Sequence, residues 1–304
     1  MTRRREVAAA LLAGAVAIAL WVLAASRPSL WPSGCERGCA NAERSPGPLR
    51  VLQLNMLHGF PRFAHLDARI DLVVDEIRRR EADVVLLEEV PWTVDTGSVV
   101  SELARRTDME HLFRRANGNR RAILFEEGDA ILSRFPMRDV ATTELPRGNH
   151  FFQHRIALAA TLDTPWGPIR AVVTHLSGDS ARVSAAQIEA LRAFADSPGY
   201  SGIVGGDFNA RDDSPALVAL AQQWTDVLRA ANPPDTGATC CVDNLTAPPN
   251  AELQERIDYL WITDTGSSRI VEASRILVQP RRVDDAWLRA SDHAGLFAVI
   301  DLGR

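Results

Sequence analysis

The chain from residue 49 onward alternates short apolar runs with amphipathic stretches, and almost every apolar run stops at a polar side chain. Runs such as "LRVLQLNM" (49–56), "DVVLLEEV" (83–90), "GDAILSRF" (128–135), "HRIALAATLD" (154–163) and "PIRAVVTHL" (168–176) are too short for helices and apolar enough for buried strands. "RAILF" (121–125), the run into "GGDFNA" (205–210), "RIDYLWIT" (256–263), "SRILV" (274–278) and "GLFAVIDL" (295–302) read the same way. Between them, residues 66–82 place Leu66, Ile70, Val73, Val74 and Ile77 at helical spacing before a basic end. "SVVSELARRT" (98–107), residues 180–196 behind a Ser180 cap, and "SPALVALAQQ" (214–223) complete the helices. Many strands with helices between only some of them predict an α/β fold, a two-sheet β-sandwich flanked by helices. The 256 residues after Pro48 suffice for one domain, 49–304.

The N-terminus is organised differently. "MTRRRE" leads into residues 7–25, where 19 positions carry no charge. As a helix this hydrophobic segment would be about 28 Å long, close to the hydrocarbon core of a bilayer. Arg3, Arg4 and Arg5 favour an N-terminus inside and a body outside the cytoplasm. Residues 1–25 are therefore expected to be an uncleaved single-pass membrane anchor. A cleaved signal peptide, with "VLA" before Ala25, is the alternative and would make the domain secreted. Residues 26–48 carry four prolines and read as a linker. Cys35, Cys39, Cys240 and Cys241 permit three pairings, among which sequence does not choose; their spacing matches no common zinc pattern.

All 34 basic residues are arginines, so Schiff-base lysines and Walker-type phosphate loops are excluded, and any phosphate must meet arginine or histidine. A net charge of −5 gives no global field for nucleic acid.

The polar residues at the strand ends carry the functional signal. They are Asn55, Glu89, His175, Asp207 with Asn209, Asp258, and Asp292 with His293. "GGDFNA" reads locally as an Asx-type turn or as a carboxylate and an amide presented together. Taken in order, "QLNM", "LLEEV", "THL", "GGDFNA", "RIDYLW" and "SDH" resemble the endonuclease/exonuclease/phosphatase superfamily, the pancreatic-deoxyribonuclease-like four-layer sandwich, from about Leu49 to Gly303.

The resemblance implies an Mg²⁺-dependent phosphoesterase, with Mn²⁺ as the other metal. Asn55, Glu89 and Asp292 correspond to metal-site residues; Glu89 is chosen over Glu88 because Glu88 would point to the opposite face. Asp207 and Asn209 match the pair that positions the attacking water and a phosphate oxygen. Asp258 and His293 match the Asp–His dyad, and His175 the histidine across the phosphate; chemically, a protonated His175 could hold a non-bridging oxygen or protonate the leaving group. Which of these is the general base stays open.

Arg155 is a candidate phosphate ligand, as strong as its reading as a structural ion pair. His58 reads as surface. The fold hosts lipid, nucleic-acid and phosphomonoester hydrolases. The anchor favours a phospholipid or sphingolipid head group, with Trp31, Phe60, Phe63, Phe151, Phe152 and Trp287 as interfacial candidates. DNA or RNA cleavage is the second reading, and a non-catalytic binding module of the same fold the third. No protein partner is inferred.

Overall fold

The computed structural model describes residues 2–34, 47–150, 153–196, 201–233, 235–249, 251–263 and 268–303. Cys35, Cys39, Phe151 and Phe152 therefore lie outside the described residues. The first element is helix α1 (Thr2–Ala25). Its Arg5–Leu23 stretch is long and apolar enough to cross a membrane by length and composition, and none of it is buried.

Then follow β1 (Ser33–Gly34), β2 (Leu49–Asn55), α2 (Leu66–Arg80), β3 (Val84–Thr93), β4 (Gly97–Ser98), α3 (Val99–Thr107), β5 (Glu110–Asn119) and β6 (Phe125–Ser133). The middle of the chain holds β7 (Met137–Glu144), β8 (Ile156–Thr164), β9 (Gly167–His175), α4 (Ala181–Ala195) and β10 (Ser201–Asp207). The last third holds α5 (Pro215–Leu220), β11 (Thr225–Asp226), α6 (Val227–Ala231), β12 (Asp258–Ile262), β13 (Arg269–Ile276), β14 (Arg281–Val283), β15 (Ala286–Leu288) and β16 (Gly295–Asp301). Local chemistry explains the helix ends. Ser98 and Ser180 accept hydrogen bonds from the backbone N–H of Ser101 and Val183, and Glu81 closes α2 in the left-handed region.

One sheet runs β1-β5-β6-β3-β2-β16-β13 with β4 beside β3; the other runs β11-β12-β10-β9-β8-β7. Between them lies a core that includes Val51, Leu86, Ile131, Leu158, Val173, Ile203 and Leu260. The outer face of the first sheet packs on α2 and α3, and that of the second on α4 and α5. The architecture is the expected helix–sheet–sheet–helix sandwich.

Gly205 and Gly206 now have a physical reason. A Cβ on Gly205 would lie 2.6 Å from Leu86 of the facing sheet, and one on Gly206 would overlap the Thr174 carbonyl oxygen of the neighbouring strand. The two sheets close tightly at this point, immediately behind Asp207.

Three details differ from the sequence reading. "RAILF" is a turn up to Leu124, which has φ +57°, and strand pairing begins at Phe125. Ile123 and Leu124 have no core to enter and stand exposed. Strands β5 and β7 carry too many polar residues to stand out as apolar runs. Finally, part of the proline-rich linker docks on the domain: β1 pairs with β5, and Ser29 N–H donates to the Arg115 carbonyl.

Candidate active site

Strand register builds one half of the site. Asp207 ends β10 directly opposite His175 on β9 and Asp258 on β12, so three titratable side chains stand in a row across three strands. The His293 Nδ1–H donates to Asp258 Oδ2 at 2.9 Å, which fixes its tautomer and turns Nε2 toward Asp207 Oδ2, 3.9 Å away. Asp207 Oδ1 accepts from the Asn209 backbone N–H at 2.8 Å, with Asn209 at φ +47°. The Asx turn is therefore real, and it is also what aims Asn209: its amide donates to the Leu176 carbonyl and lies 3.0 Å from His175 Nε2. The two readings of "GGDFNA" are one structure.

The other half comes from β2 and β3. Asn55 lies opposite Glu88, and Glu88 turns inward to accept from Gln53 Nε2 at 2.7 Å. Simple alternation would thus give the face shared with Asn55 to Glu88. The register shifts between Leu87 and Val90, and Glu89 takes φ +53° in this bulge. The bulge brings Glu89 Oε1 to 3.4 Å from Asn55 Nδ2. It is this bulge, and not strand alternation, that puts Glu89 beside Asn55.

Asn55 Nδ2 also donates to Asp207 Oδ2 at 3.1 Å, and its carbonyl accepts from Leu57 N–H. Its amide nitrogen, rather than its carbonyl, faces the carboxylates. Arg69 on α2 ties the two halves: its guanidinium donates to the carbonyls of Met56, Leu57 and Ala290.

Burial sets the protonation pattern. Asp207 is pushed up to about 7 by burial and then by the Asp258 charge. Burial alone would lower His293, but the charge and hydrogen bond of Asp258 outweigh it and raise the imidazole to about 10. His175 is driven well below its ordinary value by burial, helped by Arg155 and His293. His175 is therefore neutral, contrary to the expectation of a protonated histidine. Asp292 is raised by burial and by the negative charge of Glu89. A buried carboxylate whose proton affinity is raised beside a second acid fits a divalent cation with oxygen ligands. Asp207, Asp258 and His293 also bring ligand atoms within 4.8 Å of one another.

A cavity of about 490 Å³ opens beside Glu89, lined by His58, Asn117, Phe125, Glu127, His150, Gln153 and Arg155. Arg155 sits in it with a buried Nε that has no hydrogen-bond partner among the described residues. His58 was read as surface; instead it lines the cavity, its backbone N–H donating to Glu89 Oε2 at 3.0 Å. Its place three residues after Asn55, on the same loop, was the available signal. Glu127, Asn117 and His150 carried none. Cys240 and Cys241 are joined as a disulfide.

A family model described as Endonuclease/Exonuclease/phosphatase family matches residues 52–293. Solved structures share the fold. An endonuclease/exonuclease/phosphatase from Beutenbergia cavernae DSM 12333 is 22% identical, with TM-score 0.65 over 85% of this chain and 72% of its own. A mannosyl-6-phosphatase of Bacteroides thetaiotaomicron VPI-5482 is 12% identical, with TM-score 0.65 over 83% of this chain and 99% of its own. TDP2 of D. rerio, complexed with a single-strand DNA product, is 16% identical, with TM-score 0.67 over 84% of this chain and 100% of its own. No curated protein matches the sequence.

Proposed function

Because the chain belongs to the endonuclease/exonuclease/phosphatase family, we propose that it is a metal-dependent phosphodiesterase acting on phospholipid or sphingolipid head groups beside a membrane crossed by its N-terminal helix. The observation that carries the chemistry is the row His175–Asp207–Asp258, with His293 above it and Glu89 and Asp292 opposite.

Glu89 and Asp292 would hold Mg²⁺, with Asn55 orienting Glu89 toward Asp207. A bound ion there neutralises phosphate charge and stabilises the leaving oxygen. Asp207, with its affinity for a proton near neutrality, takes the proton of the attacking water. His293, held charged by Asp258, donates from Nε2 to a phosphate oxygen. Asn209 positions neutral His175 beside the same centre, and Arg155 faces the phosphate from the cavity.

The lipid reading rests on what surrounds the cavity. Phe125 lines it and stacks on exposed Phe60 at 4.6 Å, and the adjoining turn exposes Ile123 and Leu124 next to Arg120 and Arg121. Trp31 is exposed a few residues beyond α1, whereas Phe63 and Trp287 are half-buried. Apolar tips flanked by arginines suit an anionic bilayer surface.

The test gives the full chain, in detergent micelles, mixed liposomes and plasmid DNA with Mg²⁺, and Asp207→Asn as control. Head-group release without nicking is expected. Plasmid nicking with no head group released would replace the lipid by nucleic acid. The anchor is checked separately, by retention of the chain in membranes after alkaline washing; a mature chain beginning near Ala25 in the medium would replace it by a signal peptide.

A further inference from the structure

Beside the dyad, the proposed chemistry leaves the pair of adjacent cysteines unused. Cys240 Sγ lies 3.5 Å and Cys241 Sγ 3.7 Å from His293 Nε2, the atom assigned above to the phosphate. Cys240 is buried and Cys241 is exposed. The pair therefore forms a wall of the site, with Cys241 on its exposed side.

This wall is strapped to both strands of the dyad. Cys240 exchanges backbone hydrogen bonds with Glu255, three residues before Asp258. The hydroxyl of Thr239 accepts from the backbone N–H of Asp258 itself at 3.1 Å. On the other side, Ala294 N–H donates to the Thr239 carbonyl and Val242 N–H to the Asp292 carbonyl. Residues 239–242 are thus held on both sides, against Asp258 and against the segment that carries His293.

We infer that Cys240–Cys241 is a thiol–disulfide modification site that gates the dyad, open when oxidised and closed by a dithiol reductant. As a disulfide the two sulfurs carry no charge and accept only weakly, leaving the Nε2–H of His293 to the substrate. A dithiol attacks the exposed Cys241 sulfur, breaking the S–S bond and releasing Cys240 as a thiol. Its second thiol then displaces Cys241, so that two electrons and two protons pass to the protein and the reductant leaves as a cyclic disulfide. The freed Cys240 sulfur, held at hydrogen-bond distance, accepts from the Nε2–H of His293 and competes with the phosphate for it. Two unbonded sulfurs also need more room than a bonded pair, and the space they take is the space Nε2 faces.

Deepening the phosphodiesterase reading, this inference rests on it for its effect on turnover. Its test therefore carries a second readout that does not. The full chain is treated with dithiothreitol, and alkylation followed by mass spectrometry counts the thiols at Cys240 and Cys241. Turnover of bis(p-nitrophenyl) phosphate with Mg²⁺ is then compared before reduction, after it, and after reoxidation.

Loss of one positioned dyad group predicts a fall of at least ~10-fold, restored on reoxidation. The ratio of oxidised to reduced rates should be unity in Cys240→Ser/Cys241→Ser, and should keep its wild-type value in Cys35→Ser/Cys39→Ser. In parallel, exchange of the His293 imidazole C2 hydrogen is followed on the tryptic peptide 290–304, in which His293 is the only histidine. Its rate should change on reduction in the wild type and stay constant in the Cys240→Ser/Cys241→Ser variant. If no phosphodiester is hydrolysed in any state, the catalytic reading fails and the imidazole exchange still decides the gate. Failure of dithiothreitol to expose the two thiols, or their exposure with imidazole exchange unchanged, overturns the inference.

Discussion

Asp207→Asn should stabilise the metal-free protein at pH 8 while removing its activity. The carboxyl is 2% exposed, and its proton affinity is raised from 3.8 to about 7, first by burial and then by Asp258. A group raised on folding contributes stability that is complete below its unfolded value and lost as pH climbs through its folded value. At about 1.4 kcal/mol per unit, the ionisable Asp207 costs about 2 kcal/mol at pH 5 and about 4 kcal/mol by pH 8. Asparagine has nearly the same shape, can still accept from the Asn209 N–H, and carries none of that pH-dependent cost. In detergent with EDTA, the variant should therefore melt several degrees above wild type at pH 8, the gap closing toward pH 5. Turnover with Mg²⁺ should fall by at least ~100-fold. A variant destabilised equally at both pH values would refute the assignment of a strained, function-bearing carboxyl. So would a wild-type rate that fails to rise between pH 6 and 8.

Neighbouring glutamates should separate cleanly. Burial, with Asp129 and Asp258, pushes Glu88 well above its ordinary value and favours its neutral form, so Glu88→Gln should leave Mg²⁺-dependent turnover within a few-fold of wild type, whereas Glu89→Gln should raise the Mg²⁺ concentration for half-maximal rate by ~10-fold or more. Arg155→Ala should lower kcat/KM by ~10-fold or more through lost phosphate contact, with melting temperature almost unchanged. Gly206→Ala should destabilise the domain by several kcal/mol in urea unfolding, since the Thr174 backbone occupies the place of its Cβ.

The strands that carry the site were legible because burial on both faces makes them apolar throughout. β2, β8, β9, β10 and β16 are covered by the facing sheet on one side and by helices or side chains on the other. The strands β5 and β7 lie toward the sheet margins, where one face meets solvent, and their polar residues hid them. The polar strand ends could be read for the same reason: a charged residue that ends a buried run needs a partner or a function. What pairs with what was not legible. The bulge that re-aims Glu89 arises from a single left-handed residue, which nothing in "LLEEV" announces. The approach of Cys240 to His293 spans 53 positions and follows from the strapping of residues 239–242 between two distant segments. The neutrality of His175 depends on burial and on the charges of Arg155, His293 and His58, brought in by other segments.

The most direct measurement of the central claim is hydrolysis of bis(p-nitrophenyl) phosphate by the purified full chain, with Mg²⁺, with EDTA, and with Mg²⁺ restored. The account predicts release of p-nitrophenol with Mg²⁺, its loss in EDTA and its recovery on readdition. It also predicts a fall of at least ~100-fold in Asp207→Asn and His293→Ala under the same conditions. Undiminished hydrolysis in EDTA, or wild-type rates in those two variants, would contradict it.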